Sequence, residues 1–328
     1  MKINLLFVLF FGIICTGCNN YQDNSIVFYD DFNKLPRGVF NSERGAQTEY
    51  HFVHESMPKG NWALSTFSSG SIQNSWDVRD ETGDRVIHQI HTFKAGKHTH
   101  PILVSGDELW ENYTLEAKFS PTKGESESGI IFRYQNDRSY YFFGTIGGKI
   151  ILKLVNHGIG FRQTNEKLLD EQPFEFQNNT WLTAKIEVHG ATLKAKIVDG
   201  PELSAIDSTY SKGKMGLLAD LPTKYTSIEV RMLEKDKISY TKERQEINSA
   251  ELNFQHKNPK PVVWKKIATH NFGTGRNIRF GDLNNDGNID LLIGQVVHHG
   301  MKDRNSELSC LTAITTDGEI LWKKGVPD

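Results

Sequence analysis

Gly129-Ile130-Ile131-Phe132-Arg133-Tyr134, then Gln135-Asn136-Asp137-Arg138, then Ser139-Tyr140-Tyr141-Phe142-Phe143-Gly144 is the stretch that decides the fold. Two runs rich in β-branched and aromatic residues flank four polar residues suited to a turn, which is the pattern of a β-hairpin. Both runs are almost wholly apolar, so both faces of these strands are expected to be covered. On either side the period stays at two. Tyr113-Thr114-Leu115-Glu116-Ala117-Lys118-Phe119 alternates apolar and polar side chains, as a strand with one wet face requires. Stretches 150–154, 181–188, 192–197, 216–219 and 227–232 continue the series, with His189-Gly190-Ala191 as a tight connection. Many short strands at regular spacing, with almost no helical periodicity, predict an all-β protein. Its main part is a two-sheet jelly-roll sandwich over residues 26–233.

The chain has 328 residues, room for a second domain. A net charge of -2 with no basic arm excludes a nucleic-acid partner. Cys15 and Cys18 lie at the N-terminus and leave Cys310 alone, so no disulfide framework is expected. Residues 234–260 are charged and end on Asn258-Pro259-Lys260-Pro261. Without a long apolar stripe they predict a surface linker or one short helix.

Asp282-Leu283-Asn284-Asn285-Asp286-Gly287-Asn288-Ile289-Asp290 is the sharpest chemical feature of the remaining segment, 261–328. Oxygen-bearing side chains at 282, 284 and 286, a glycine that lets the chain turn inward and a final carboxylate at 290 suit a hard cation. Asp282, Asn284, Asp286, Asn288 through its backbone carbonyl, and Asp290 are therefore candidate Ca²⁺ ligands. An apolar strand, Leu291-Leu292-Ile293, follows in place of the helix of an EF-hand.

At the other end, the apolar run from Leu5 to Ile14 is too short to span a bilayer and predicts an export signal. Thr16-Gly17-Cys18 after it resembles the cleavage box of bacterial lipoprotein precursors. That resemblance implies a signal peptide over 1–17, lipidation at Cys18, a polar tether over 18–25, and a protein anchored in the cell envelope at the outer membrane or cell surface.

The order of motifs in 26–233, from Tyr29-Asp30-Asp31-Phe32 to the closing Gly213-Lys214-Met215-Gly216-Leu217, resembles the concanavalin-like or laminin-G-like jelly rolls. The resemblance implies glycan binding. The acidic loop resembles the calcium loops of FG-GAP-type propeller blades. With Thr316-Asp317-Gly318-Glu319-Ile320-Leu321-Trp322, residues 262–325 resemble the opening blade of the propeller lyases that cut rhamnogalacturonan. About one blade is present. The expected function is binding and breakdown of a surface polysaccharide containing rhamnose and uronate, with the catalytic residues of any lyase outside this segment. The alternative is a non-enzymatic adhesion or scaffold lipoprotein.

Trp62, Trp76 and Trp110 offer flat rings on which sugars stack. His88, His91, His98 and His100 cluster, and His98 and His100 are candidates for a glycan groove; two histidines at i and i+2 also share a strand face and could reach one metal ion. Glu125 and Glu127 stand two apart in a polar turn, but spacing alone does not make them an acid and nucleophile pair. The sequence contains no nucleophile elbow, phosphate loop or His-Glu-x-x-His helix.

Overall fold

A computed structural model describes residues 25–40, 59–65, 75–93, 100–160, 163–258, 260–269, 272, 277–296 and 308–327. Cys18, His98 and the expected signal peptide lie outside the described residues. The chain divides into two compact units, Met1–Glu251 and Leu252–Asp328.

The first unit is built on two antiparallel sheets. Its strands are β1 Ile26–Asp30, β2 Gly38–Val39, β3 Ala63–Leu64, β4 Trp76–Glu81, β5 Asp84–Gln89, β6 Ile102–Ser105, β7 Tyr113–Pro121 and β8 Ser128–Asn136. They continue with β9 Ser139–Ile146, β10 Lys149–His157, β11 Thr164–Pro173, β12 Leu182–His189, β13 Thr192–Ile197, β14 Glu202–Ile206, β15 Lys214–Ala219 and β16 Thr223–Arg231. One sheet has nine strands in the order β14-β13-β12-β7-β16-β5-β4-β2, with β1 also on β16; the other has seven, β11-β10-β9-β8-β15-β6-β3.

The core between them follows from strand alternation. Leu115, Ala117 and Phe119 of β7 and Ala184, Ile186 and Val188 of β12 pack against Ile130, Phe132, Tyr141, Phe143, Leu152 and Leu217 of the seven-stranded sheet. Each large side chain buried here contributes about 1.5–3 kcal/mol through removal of apolar surface from water. The opposite face of the seven-stranded sheet is buried too. Ile102, Ile131, Tyr140, Phe142, Ile151, Val155 and Leu218 form a separate apolar cluster on it, which is why β8 and β9 read as continuous apolar runs. Gly129 and Gly144 face each other across β8 and β9. A Cβ at Gly129 would come within 2.2 Å of the Phe143 carbonyl oxygen, so the pair sets how closely these strands approach.

Residues 234–257 form a 24-residue helix, α1 Glu234–Lys257, with no buried residue, where the sequence suggested a linker or a short helix. Acidic Glu234 and Asp236 in its first turn and basic His256 and Lys257 in its last complement the helix dipole. Polar contacts dock its first half. Tyr240 donates to Asp107 at 3.0 Å, Arg244 pairs with Asp107 and Glu108, and Lys212 pairs with Glu243 at 2.6 Å. An apolar stripe was therefore not required.

The second unit is a four-stranded antiparallel meander of β17 Asn277–Gly281, β18 Asp290–Val296, β19 Leu308–Thr315 and β20 Ile320–Gly325, the form of a single propeller-like blade. Phe272, Ile293 and Ile314 make its small core. Phe280 and Trp322 remain exposed.

Candidate functional site

Strand register gathers charged side chains on the outward face of the seven-stranded sheet. Lys153 of β10 lies opposite Phe142, and Glu166 of β11 lies opposite Val155, both in the outward row. Glu127 immediately precedes β8 and Asp220 immediately follows β15, and the Asp220 amide donates to the Glu127 carbonyl at 2.8 Å. His100 stands two residues before β6, which pairs with β15. The five side chains meet although they come from five separate stretches of chain.

His100 Nδ1 lies 2.9 Å from both carboxylate oxygens of Asp220, and its Nε2 is 3.9 Å from Glu166. Lys153 Nζ donates to Glu127 at 2.5 Å and to Glu166 at 2.7 Å, and sits 5.4 Å above the Phe142 ring. His100, Glu127, Lys153 and Asp220 are all buried. Burial works against the imidazolium of His100, but the hydrogen bonds to Asp220 and the pull of the nearby Glu166 and Glu127 carboxylates outweigh it and push its pKa up to about 10. Glu166 is pulled down to about 2 by His100 first, against the effect of burial, and then by Lys153. Burial, followed by the charges of Glu127, Glu166 and Asp220, raises the Tyr140 phenol well above its ordinary value.

One ligand atom from each of His100, Glu127 and Asp220 lies within 4.8 Å of the others, so this cluster is capable of coordinating a metal ion. It is a different place from the acidic loop. There, backbone amides take the carboxylates: Asp282 accepts from Asp286 and Gly287, Asp286 from Asn288, and Asp290 from Leu283. Asp290 is buried at the start of β18 while Asp282, Asn284, Asp286 and Asn288 are exposed.

The structure corrects the expected sugar platforms. Trp62 and Trp76 are fully buried and Trp110 is 3% exposed, so none presents a ring face to solvent. Trp62 packs edge-on against Phe28 and Phe32 and donates Nε1 to Asp30 at 2.9 Å. His100 is a buried ion-pair partner and not a surface histidine. His88 and His91 do not join it as ligands in the cluster; Glu127 does, without Glu125.

Among the sandwich's described tryptophans, Trp181 does face outward. Trp181, 43% exposed, precedes β12 and lines a cleft of about 490 Å³ on the outer face of the nine-stranded sheet, with Glu81, Asp84, Lys118, Thr183 and Thr226 among its walls. Thr183 sits directly opposite Lys118 in the ladder, which fixes both on this face. Sequence reasoning placed Trp181 at the start of a strand. Its usable signal was period two: Trp181 and Thr183 share the wet face that Leu182 and Ala184 leave.

No protein-family model matches the chain, and no curated protein matches it. Among solved structures, the carbohydrate-binding module CBM66 from Bacillus subtilis is similar at 15% identity over 52% of this chain and 96% of that one, with a TM-score of 0.41. LamAcat from Zobellia galactanivorans is similar at 12% identity over 64% of this chain and 98% of that one, TM-score 0.39. The galectin LEC-6 from Caenorhabditis elegans is similar at 15% identity over 39% and 87%, TM-score 0.30. Scores this low do not say what this chain binds.

Proposed function

We propose that the sandwich binds a polysaccharide through the Trp181 cleft. The observation that carries this reading is the exposed Trp181 indole set among hydrogen-bonding side chains in a cleft of the sandwich, while the sandwich's Trp62, Trp76 and Trp110 are spent in the core. A sugar ring lays its apolar C–H face on an indole and directs hydroxyls sideways, where Glu81, Asp84, Thr183 and Thr226 offer partners. Lys118 adds a positive charge suited to a uronate. The resemblance of residues 262–325 to lyase blades is a second support for rhamnose- and uronate-containing polymers as the first to test. Calcium in the 282–290 loop and a lipid anchor at Cys18, holding the protein at the cell surface, belong to the same proposal.

The experiment is a glycan array with the full chain, followed by affinity measurement for Trp181→Ala. Binding to acidic polysaccharides that falls at least tenfold in the variant supports the reading. Silence across the array, or equal affinity in a folded variant, overturns it and leaves the scaffold alternative.

A further inference from the structure

The outward face of the seven-stranded sheet holds polar atoms that its own ion pairs leave unused. Tyr140 is fully buried and its hydroxyl has no hydrogen-bond partner among the described residues; neither has the second carboxylate oxygen of Glu127. Both belong to the group around Lys153, since Tyr140 occupies the same outward row two residues from Phe142, whose ring Lys153 covers, and Glu127 accepts from Lys153. A buried hydroxyl or carboxylate oxygen without a partner is unfavourable, more so for the charged group, which is a reason to expect something there that satisfies it.

We propose that His100, Glu127 and Asp220 bind a divalent first-row transition ion of the Zn²⁺ class, with Lys153 retained by Glu166 beside it. The donor set is one imidazole nitrogen and two carboxylates, which suits such an ion; Ca²⁺ takes six to eight oxygens and gains little from a ring nitrogen. Donors now within 4.8 Å of each other must close by on the order of 1 Å to meet ion-to-ligand distances of about 2.0–2.2 Å, a movement that rotation of two carboxylates supplies. Charge favours the exchange. Coordination displaces the proton of His100 to water; three carboxylates and the Lys153 ammonium then leave two negative charges, which a divalent ion cancels. The released oxygen of Glu127 and the Tyr140 hydroxyl then serve as an outer partner pair that orients the ligands. This inference is independent of the Trp181 cleft, which lies on the other sheet.

The test uses the full, untagged chain, stripped with a chelator and held in excess Ca²⁺ so that the 282–290 loop does not compete. Titration with Zn²⁺ is expected to show one tight equivalent, and Co²⁺ in its place to give d–d absorption of an N/O-coordinated ion. His100→Gln and Asp220→Asn are expected to weaken that equivalent at least 100-fold, and Tyr140→Phe about tenfold. No uptake by the wild type, or unchanged uptake in folded His100→Gln, shows a structural ion-pair network only and overturns the proposal. If circular dichroism shows that His100→Gln does not fold, Glu127→Gln and Tyr140→Phe decide: unchanged affinity in both overturns it equally.

Discussion

His100 Nδ1 stands 2.9 Å from each carboxylate oxygen of Asp220, a residue 120 positions later in the chain. One buried ring thus fastens the approach to β6 onto the exit from β15. The same outward face depends on Lys153, which holds two carboxylates at once.

Lys153→Met is expected to leave Glu127 without its ammonium partner, and Glu166 with His100 alone, 3.9 Å away. Removing one member of a buried ion network costs about 3–5 kcal/mol, because the remaining charge is left uncompensated. Chemical denaturation of the metal-free protein reads this as a lower midpoint. Adding Glu127→Gln should restore part of the loss; no shift in either variant would show that the network contributes nothing.

Trp62 and Trp181 should separate stability from binding. Trp62→Ala empties a fully buried site and is expected to cost about 3–5 kcal/mol. Trp181→Ala is expected to stay within about 1 kcal/mol of wild type while losing glycan affinity. Thermal denaturation together with the array checks both, and a reversed order of stabilities would refute the assignment.

His88 carries a pH dependence of a definite sign. Burial first, then the charges of Arg79 and Lys224, lower its pKa below the ordinary 6.5, and its Nε2 has no hydrogen-bond partner among the described residues. The unfolded chain therefore binds the proton more readily, so stability is full above about 6.5 and falls as pH drops from there toward the folded value. Denaturation midpoints measured across this window should slope in wild type and flatten in His88→Gln. An equal slope in both would assign the dependence to other groups.

Asp286→Ala tests the acidic loop. Calorimetry of the wild type is expected to show Ca²⁺ binding that the variant lacks, with protease protection of residues 277–292 gained on adding the ion only in the wild type. Heat that is absent in the wild type, or identical in the two proteins, would leave an acidic turn held by its own amides.

Cys18→Ser tests the anchor. The wild type is expected to partition with membranes when made in a bacterial host, and the variant to appear in the soluble fraction or remain unprocessed. Membrane association that survives the substitution would rule out Cys18 as the attachment point.

What the sequence revealed follows from how local each signal is. The 129–144 hairpin was legible because apolar runs and a polar turn are short-range properties, and β13 matches its predicted span, 192–197. Strand β11 was not, because Thr164–Pro173 buries none of its residues and so shows no alternation. The tryptophans show the limit of residue type alone: Trp62 and Trp181 are the same side chain, and only the register of the sheets tells which is core. The His100 cluster was out of reach for a further reason. Its members come from positions between 100 and 220, and nothing in the spacing of single residues announces that strands β6, β8, β10, β11 and β15 bring them together.

Strand β11 ends the seven-stranded sheet, where an open ladder of amides and carbonyls would invite another chain to dock. Here that border carries Glu166, Lys167, Asp170 and Glu171, and Asp170 accepts from the Ser204 amide of β14 at 2.8 Å, tying down the neighbouring border of the other sheet. A second molecule adding itself in register would have to strip water from those charges. Crowded copies would thus be kept from joining through β11, leaving that border to bind water and its own neighbour.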